Sequence, residues 1–257
     1  NRPEFLEGNM AWTYLVNTPL GEFALFIGQT ENEQQQALPF EVWVNGTNQP
    51  RGLGAVAKTL SMDMRSNDNQ WLKLKLDSLM RTVGEQSFEL KFPPLGENKV
   101  VPSVVSAFAQ IVRYRCEKLG YFNTDSAHPV LDSMFSLHEP KTSTDGTLSW
   151  TVDIANPATG EEFVLGLKEV VLADGATRPY AMWLAGNYPR ALDGLSRILS
   201  LDMRVIDPAW IGMKLRKLLN YAEPLGDFLA FIPNTRRQCT WPSTVAYMAR
   251  LIIHRYA

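Results

Sequence analysis

The chain has 257 residues, of which 45% are hydrophobic and 20% charged, a composition that is typical of a globular protein and excludes a fibrous or disordered one. A formal net charge of −2 argues against general nucleic-acid binding, so no nucleic-acid partner is expected. No run approaches the roughly 20 apolar residues of a membrane span, and the first residues show no signal-peptide pattern. The sequence therefore predicts a cytoplasmic protein without membrane association.

The first part of the chain has the pattern of a small sheet. Apolar residues alternate with their neighbours in Phe23–Ile27 and again in Phe40–Val44, which predicts strands within residues 12–46. After Pro50 the apolar spacing becomes helical. Two amphipathic helices are predicted there, the second with apolar residues from Leu72 onwards.

The same part of the chain ends with one more strand and one more helix. The strand is predicted at Phe88–Phe92, before Pro93, and the helix is opened by Pro102 and Ser103. This gives the order β-β-α-α-β-α. Strands that are grouped before the helices, with short connections between elements, predict an α+β domain in which helices pack on one face of a largely antiparallel sheet.

The second half of the chain repeats the first. Leu60–Arg65, with Trp71 six residues later, returns as Leu199–Arg204, with Trp210 six residues later. That offset is 139 residues, and three other segments recur at an offset of 140: Glu22–Ile27 as Glu162–Leu167, Pro39–Gly46 as Pro179–Gly186, and Pro102–Val105 as Pro242–Val245. An offset of this length is too long for a solenoid repeat, so it predicts two copies of one domain.

The predicted organisation has three parts. Residues 1–116 form the first domain, residues 117–147 a partly ordered linker, and residues 148–257 the second domain. Apolar residues from Val130 to Leu137 should pack on a domain. In the second copy Asp207 and Pro208 supply an N-cap and a first helical residue, which predicts the start of a helix.

Short motifs give little support for catalysis. Gly52–Thr59 resembles the phosphate-binding pattern G-x-x-x-x-G-K-[ST], but Ala57 replaces the second glycine and the segment has an apolar helical face, so a helix is expected. The three histidines have no metal-ligand spacing and no metal site is expected; they are His128, His138 and His254.

The two cysteines, Cys116 and Cys239, do not occupy equivalent positions in the copies and form no C-x-x-C pair. Free thiols are expected, while redox activity of either one, or an independent enzyme that uses one of them, stays open. No catalytic or cofactor-binding residue can be assigned.

Residues shared by both copies have the character of a scaffold. The tryptophans that recur are expected in the core: Trp43, Trp71, Trp183 and Trp210. Asp63-x-Arg65 and its counterpart Asp202-x-Arg204 are expected to make cap or interdomain contacts, because residues two apart on a helix do not face each other.

The first copy resembles a known family. Arg2–Gly8, Leu38–Asn45 and Val101–Val105 together resemble the TSCPD domain, the C-terminal region of adenosylcobalamin-dependent (class II) ribonucleotide reductases. The resemblance covers residues 2 to about 115 and extends to the second copy only through the repeat. The family's Thr-Ser-Cys-Pro-Asp signature, its radical-bearing barrel and its redox C-x-x-C pairs are not found in this sequence.

The resemblance implies a non-catalytic accessory module or small subunit of such a reductase system, acting in deoxyribonucleotide synthesis with a large radical-bearing subunit. Adenosylcobalamin is implied only for that partner, and any enzymatic role would be as part of the reductase. The alternative is a free-standing module that binds a small molecule or protein in the cleft between the two repeats. A monomer with an internal pseudo-two-fold axis and a homodimer are both open.

Overall fold

The computed structural model describes residues 2–256 and divides the chain into two compact units, Asn1–Asp132 and Ser133–Ala257. Both units combine α-helices with antiparallel strands, which confirms the predicted α+β class. The division falls within the predicted linker 117–147. The order of elements is β-β-β-α-α-β-β-α in each unit, as a duplication would give, although the duplication itself stays a prediction.

The first unit begins with a three-stranded meander and continues with two helices, a hairpin and a last helix. These elements are β1 (Met10–Thr18), β2 (Gly21–Glu31), β3 (Ala37–Asn45), α1 (Leu53–Met64), α2 (Asn69–Met80), β4 (Phe88–Phe92), β5 (Glu97–Val101) and α3 (Val104–Lys118). β2 is the central strand of the sheet, and β4 pairs with β5 in a separate hairpin.

The second unit follows the same plan. Its elements are β6 (Ser149–Asn156), β7 (Glu161–Val171), β8 (Thr177–Asn187), α4 (Leu192–Met203), α5 (Pro208–Leu218), β9 (Phe228–Phe231), β10 (Gln238–Trp241) and α6 (Thr244–Tyr256). The helix start predicted at Asp207 is confirmed, because its side chain accepts a hydrogen bond from Ala209 N at 2.9 Å and Pro208 is the first helical residue.

Each described unit has five strands, whereas the sequence predicted three. The two that were missed are an edge strand of the sheet and the second strand of the hairpin, and in the first unit both are largely exposed. β1 is exposed along most of its length, and β5 has four exposed residues out of five. Because neither strand has a continuous buried face, neither shows the apolar alternation that reveals a strand in a sequence.

The core of each unit lies between the sheet and the helices. In the first unit the inward residues of the central strand β2, Phe23, Leu25 and Ile27, are at most 2% exposed. Their neighbours across the sheet include Val42, which pairs with Ile27. α1 packs on β3, and α2 packs on α3. The helices therefore cover one face of the sheet, as predicted.

None of the helices within residues 2–256 combines the length and the apolar character that crossing a membrane would require.

Candidate functional site

The repeated segment Leu60–Arg65 attaches α1 to the sheet. The Ser61 hydroxyl accepts a hydrogen bond from Val42 N at 2.9 Å, and Arg65 Nη1 donates to Phe40 O at 2.9 Å. The Val42 N–H and the Phe40 carbonyl both belong to the strand β3. Burial lowers the pKa of the Arg65 guanidinium, but a group with so high a starting value stays charged at neutral pH.

The second unit repeats these contacts. Ser200 accepts from Met182 N at 3.0 Å, and Arg204 Nη1 donates to Tyr180 O at 3.1 Å. Arg204 also donates to carbonyl oxygens of residues 136 and 137. The serine and the arginine of the repeated segment thus hold the helix on the sheet in both units.

The aspartate of the same segment forms a buried cluster. Asp63 Oδ1 accepts from Trp71 Nε1 at 2.8 Å, and Asp63 Oδ2 lies 3.2 Å from Lys75 Nζ. The side chains of Asp63 and Lys75 are 0% exposed. The Lys75 ammonium also lies 4.8 Å from the centre of the Trp71 ring, in cation–π geometry. This cluster joins α1 to α2.

An equivalent cluster lies in the second unit. Asp202 Oδ1 accepts from Trp210 Nε1 at 2.7 Å and lies 3.5 Å from Lys214 Nζ, and both charged side chains are 0% exposed. The sequence pattern predicted cap or interdomain contacts for these aspartates. Instead they bind a tryptophan and a lysine of their own unit, and complete burial keeps both ion pairs away from substrates.

The recurring tryptophans are only partly in the core. Trp71 is 0% exposed, as predicted, whereas Trp43 is 38% exposed and stacks on Phe26 with a centroid distance of 5.0 Å. Trp183 and Trp210 are also partly exposed. Trp43 and Trp183 each follow a buried residue in their strand and lie on the sheet face opposite the helices. Because Trp210 is also partly exposed, the prediction of a core tryptophan is confirmed for Trp71 alone.

The segment that resembles a phosphate loop is helical, as expected. Gly52 caps α1 with a left-handed backbone (φ 86°), and the helix begins at Leu53. The Thr59 hydroxyl is buried and donates to Ala55 O at 3.0 Å within the helix. A buried hydroxyl that is bonded to its own helix cannot reach a nucleotide.

The thiols differ in accessibility. Cys116 is completely buried in α3, and desolvation raises its pKa to about 12, so it is a protonated thiol at neutral pH and a poor nucleophile. Cys239 is partly exposed on β10. Among residues 2–256, no group of three or more His, Cys, Asp or Glu side chains is arranged to hold a metal ion.

Asp68 anchors the start of the predicted linker. Its carboxylate caps α2 by accepting from Trp71 N at 2.9 Å, and its other oxygen accepts from Val130 N and Leu131 N at 3.0 and 2.9 Å. Asn69 donates to carbonyl oxygens of residues 121 and 124. Asp68 and Asn69 therefore bind the backbone of residues 121–131 to the first unit.

Two of the three segments that carry the family resemblance, Arg2–Gly8 and Leu38–Asn45, are in contact. Arg2 donates two hydrogen bonds to the Glu41 carboxylate, Nε to Oε2 at 2.5 Å and Nη2 to Oε1 at 3.0 Å. Phe5 meets Phe40 edge-to-face at 5.3 Å. We call Arg2, Phe5, Phe40 and Glu41 the N-terminal clasp. It holds the first residues of the chain against β3.

An arginine near the end of the last helix faces a tryptophan in each unit. In the first unit the Arg115 guanidinium lies 3.7 Å from the centre of the Trp12 ring, and its Nε donates to the Tyr14 hydroxyl at 2.7 Å. Trp12 is 47% exposed. In the second unit Arg255 lies 5.6 Å from the Trp150 ring, and its Nε and Nη2 bind the Glu169 carboxylate at 3.0 and 3.2 Å.

A groove opens beside this pair in the second unit. It has a volume of about 520 Å³ and lies between β6, α6 and the turn of the β9–β10 hairpin. Its walls include Trp150, Val152, Phe231, Tyr247, Leu251 and Arg255. We call it the second-unit groove.

Neither the buried lysines nor the Trp–Arg pairs were predicted from the sequence. The signal was present in the repeat, because Lys75 and Lys214 share the offset of their aspartates and each interrupts an apolar helical stripe. Arg115 and Arg255 are 140 residues apart, which is the offset of the other repeated segments. In comparisons with known proteins, no protein-family model, curated protein or solved structure matches the chain.

Proposed function

We propose that this chain is a non-catalytic accessory module of an adenosylcobalamin-dependent ribonucleotide reductase system, acting with a large radical-bearing subunit in deoxyribonucleotide synthesis. The observation that carries the proposal is the N-terminal clasp. Two of the three motif segments of the resemblance, near Arg2 and near Glu41, are 39 residues apart in the chain yet are joined by a bidentate ion pair. Such a contact gives the two segments a reason to occur together.

The accessory role is supported by how the recurring polar residues are used. Ser61, Asp63 and Arg65 bond to groups of the same unit, and their counterparts in the second unit do the same. These residues stabilise the fold. The radical chemistry and the cobalamin cofactor belong in this proposal to the partner subunit. A cytoplasmic location is part of it, since free thiols favour a reducing compartment.

The proposal is tested by mixing the purified protein with a purified class II reductase large subunit. We expect a complex in size-exclusion chromatography with light scattering, and nucleotide reduction that rises when the protein is added. Glu41→Gln removes the charge that holds Arg2, so it should weaken the complex. Glu22→Gln, on the exposed part of β2, is the matched control. Equal activity with and without the protein, and no complex, would overturn the proposal.

A second candidate function is a free-standing small-molecule binding module, and the second-unit groove favours it. Its volume of about 520 Å³ lies within the range of about 300–1,000 Å³ that is common for small-molecule sites. The walls combine aromatic and aliphatic side chains with a few polar ones, as such sites do. A thermal-shift screen tests this function. Stabilisation by a ligand that is lost when the groove is filled would support it over the reductase role.

A further inference from the structure

One side of the second-unit groove is suited to a flat ring. Trp150 and Tyr247 contribute aromatic surfaces, and Val152 and Leu251 contribute aliphatic ones. Phe231, at the rim, is 52% exposed. The Tyr247 hydroxyl is held by a hydrogen bond to Phe231 O at 3.2 Å, which fixes the orientation of its ring. Aromatic side chains bind planar ligands by stacking and edge contacts.

A histidine and an arginine line one end of the groove. They are His254 and Arg255, in the last turn of α6, and the hairpin turn at the opposite wall continues from Thr235 into Arg236 and Arg237. Arg255 uses two of its five N–H donors for Glu169. The remaining donors are available to an oxygen ligand. The groove therefore joins an apolar surface to the N–H donors of a guanidinium that is already paired with Glu169, and an anion can accept hydrogen bonds from the donors that are left.

The first unit shows why this space is open in the second. Strand pairing places Trp12 opposite Ile27 and Trp150 opposite Leu167, so Tyr14 and Val152 hold equivalent places on β1 and β6. Tyr14 extends to Arg115 and bonds it. Val152 is too short to do so.

We propose that the second-unit groove binds a small flat aromatic anion, with its ring against Trp150 and Tyr247 and its anionic group at His254 and Arg255. The anionic group can be a carboxylate or a phosphate, since both accept hydrogen bonds from a guanidinium in the same way. The inference rests on the binding-module proposal and is independent of the reductase partnership.

The test uses three probes with the same ring: 2-naphthoate, 2-naphthyl phosphate and the neutral 2-naphthylmethanol. Calorimetric titration of the full chain should show that the anions bind, and that the neutral probe binds about tenfold more weakly because it lacks a charge-assisted hydrogen bond. The relative affinity of the two anions separates a carboxylate from a phosphate site. Acetate and inorganic phosphate alone should not bind measurably.

Two variants locate the site. Val152→Tyr fills the groove with the side chain that the first unit carries, and Arg255→Met removes the charge, so each should weaken anion binding at least about tenfold. Arg115→Met, the matched change in the first unit, should leave the affinity unchanged, and circular dichroism should confirm that all three variants are folded. Equal loss in Arg115→Met, or unchanged binding in Val152→Tyr, would overturn the groove as the site.

The probes also distinguish binding in the groove from a preference for anions. If all three bind equally well and Val152→Tyr abolishes binding, the binding module stands and the anion preference is wrong. If none binds, the inference is overturned, and the binding-module proposal is decided by the thermal-shift screen. Neither outcome changes the complex formed with a reductase subunit, which is measured separately.

Discussion

Replacement of Asp63 by asparagine should strongly destabilise the first unit. Asp63→Asn keeps the shape of the side chain and an oxygen that can accept from Trp71 Nε1, but it removes the negative charge beside Lys75. Both side chains are 0% exposed, so the Lys75 ammonium stays in the interior without the carboxylate that lies 3.2 Å away. Breaking a buried ion pair from one side costs about 3–5 kcal/mol of unfolding free energy.

Urea unfolding at neutral pH, followed by far-UV circular dichroism, measures this loss. Asp202→Asn is the matched change in the second unit, where the ion-pair distance is 3.5 Å. Each variant should shift the transition of its own unit. For a unit of this size, a loss of 3–5 kcal/mol corresponds to a decrease in melting temperature of roughly 10–20 °C.

The double variant Asp63→Asn/Lys75→Met is the control for charge. It leaves no buried charge at this position, and replacing a buried ion pair by groups of similar volume is often neutral or stabilising. It should therefore be more stable than Asp63→Asn alone. The proposed charge effect is wrong if the free energy of unfolding of Asp63→Asn is within about 0.5 kcal/mol of the parent value, or if the double variant is less stable than Asp63→Asn alone.

Three further predictions concern the fold. Asp68→Ala should lower the free energy of unfolding in urea by about 2–4 kcal/mol, because the buried Asp68 carboxylate accepts hydrogen bonds from three amides. The exposed cap variant Asp207→Ala should lower it by only about 1 kcal/mol, and equal losses would contradict the role of Asp68 in holding residues 130 and 131. Gly166→Ala should destabilise the protein by about 1–3 kcal/mol in thermal melts, because the new Cβ would overlap the Trp183 ring. Gly212→Ala, inside α5, should stabilise the protein by about 0.5–1 kcal/mol, because alanine has the higher helix propensity and no backbone atom lies close to the new Cβ. Burial raises the pKa of Cys116 to about 12, so the unfolded chain releases the thiol proton at a lower pH than the folded chain does. The free energy of unfolding should therefore fall as the pH rises from about 8.5 towards 12, and it should fall less in Cys116→Ala. A thiol reagent should label only Cys239 before unfolding.

The fold class and the helices could be predicted because their residues are buried on one side. α1 and α2 show this in Leu53, Leu60, Leu72 and Leu76, all 0% exposed, whose spacing is helical in the sequence itself. The strands β1 and β5 could not be predicted from alternation, because their side chains are mostly exposed. Pairing with β2 and β4, which is not visible in a single strand, makes them extended.

The polar part of the structure was less predictable for a different reason. A lysine within an apolar stripe, such as Lys75, would ordinarily be placed at the edge of that stripe with its ammonium in water. Its burial depends on Asp63, which lies on the preceding helix. The groove depends in the same way on strand pairing and on the turn of a hairpin, since it is formed by β6, α6 and residues after β9. The burial of Lys75 and the shape of the groove both depend on contacts between different elements.

The buried aspartate–lysine pairs also bear on how two similar units can fold in one chain. Tandem domains with similar sequences can exchange segments during folding and become trapped in misassembled states. Asp63 meets a lysine only 12 residues further along. A loop of that length closes within about 10–100 ns, long before distant strands pair. Each helical pair can therefore find its own partner charge first, which favours correct assembly over exchange with the other half.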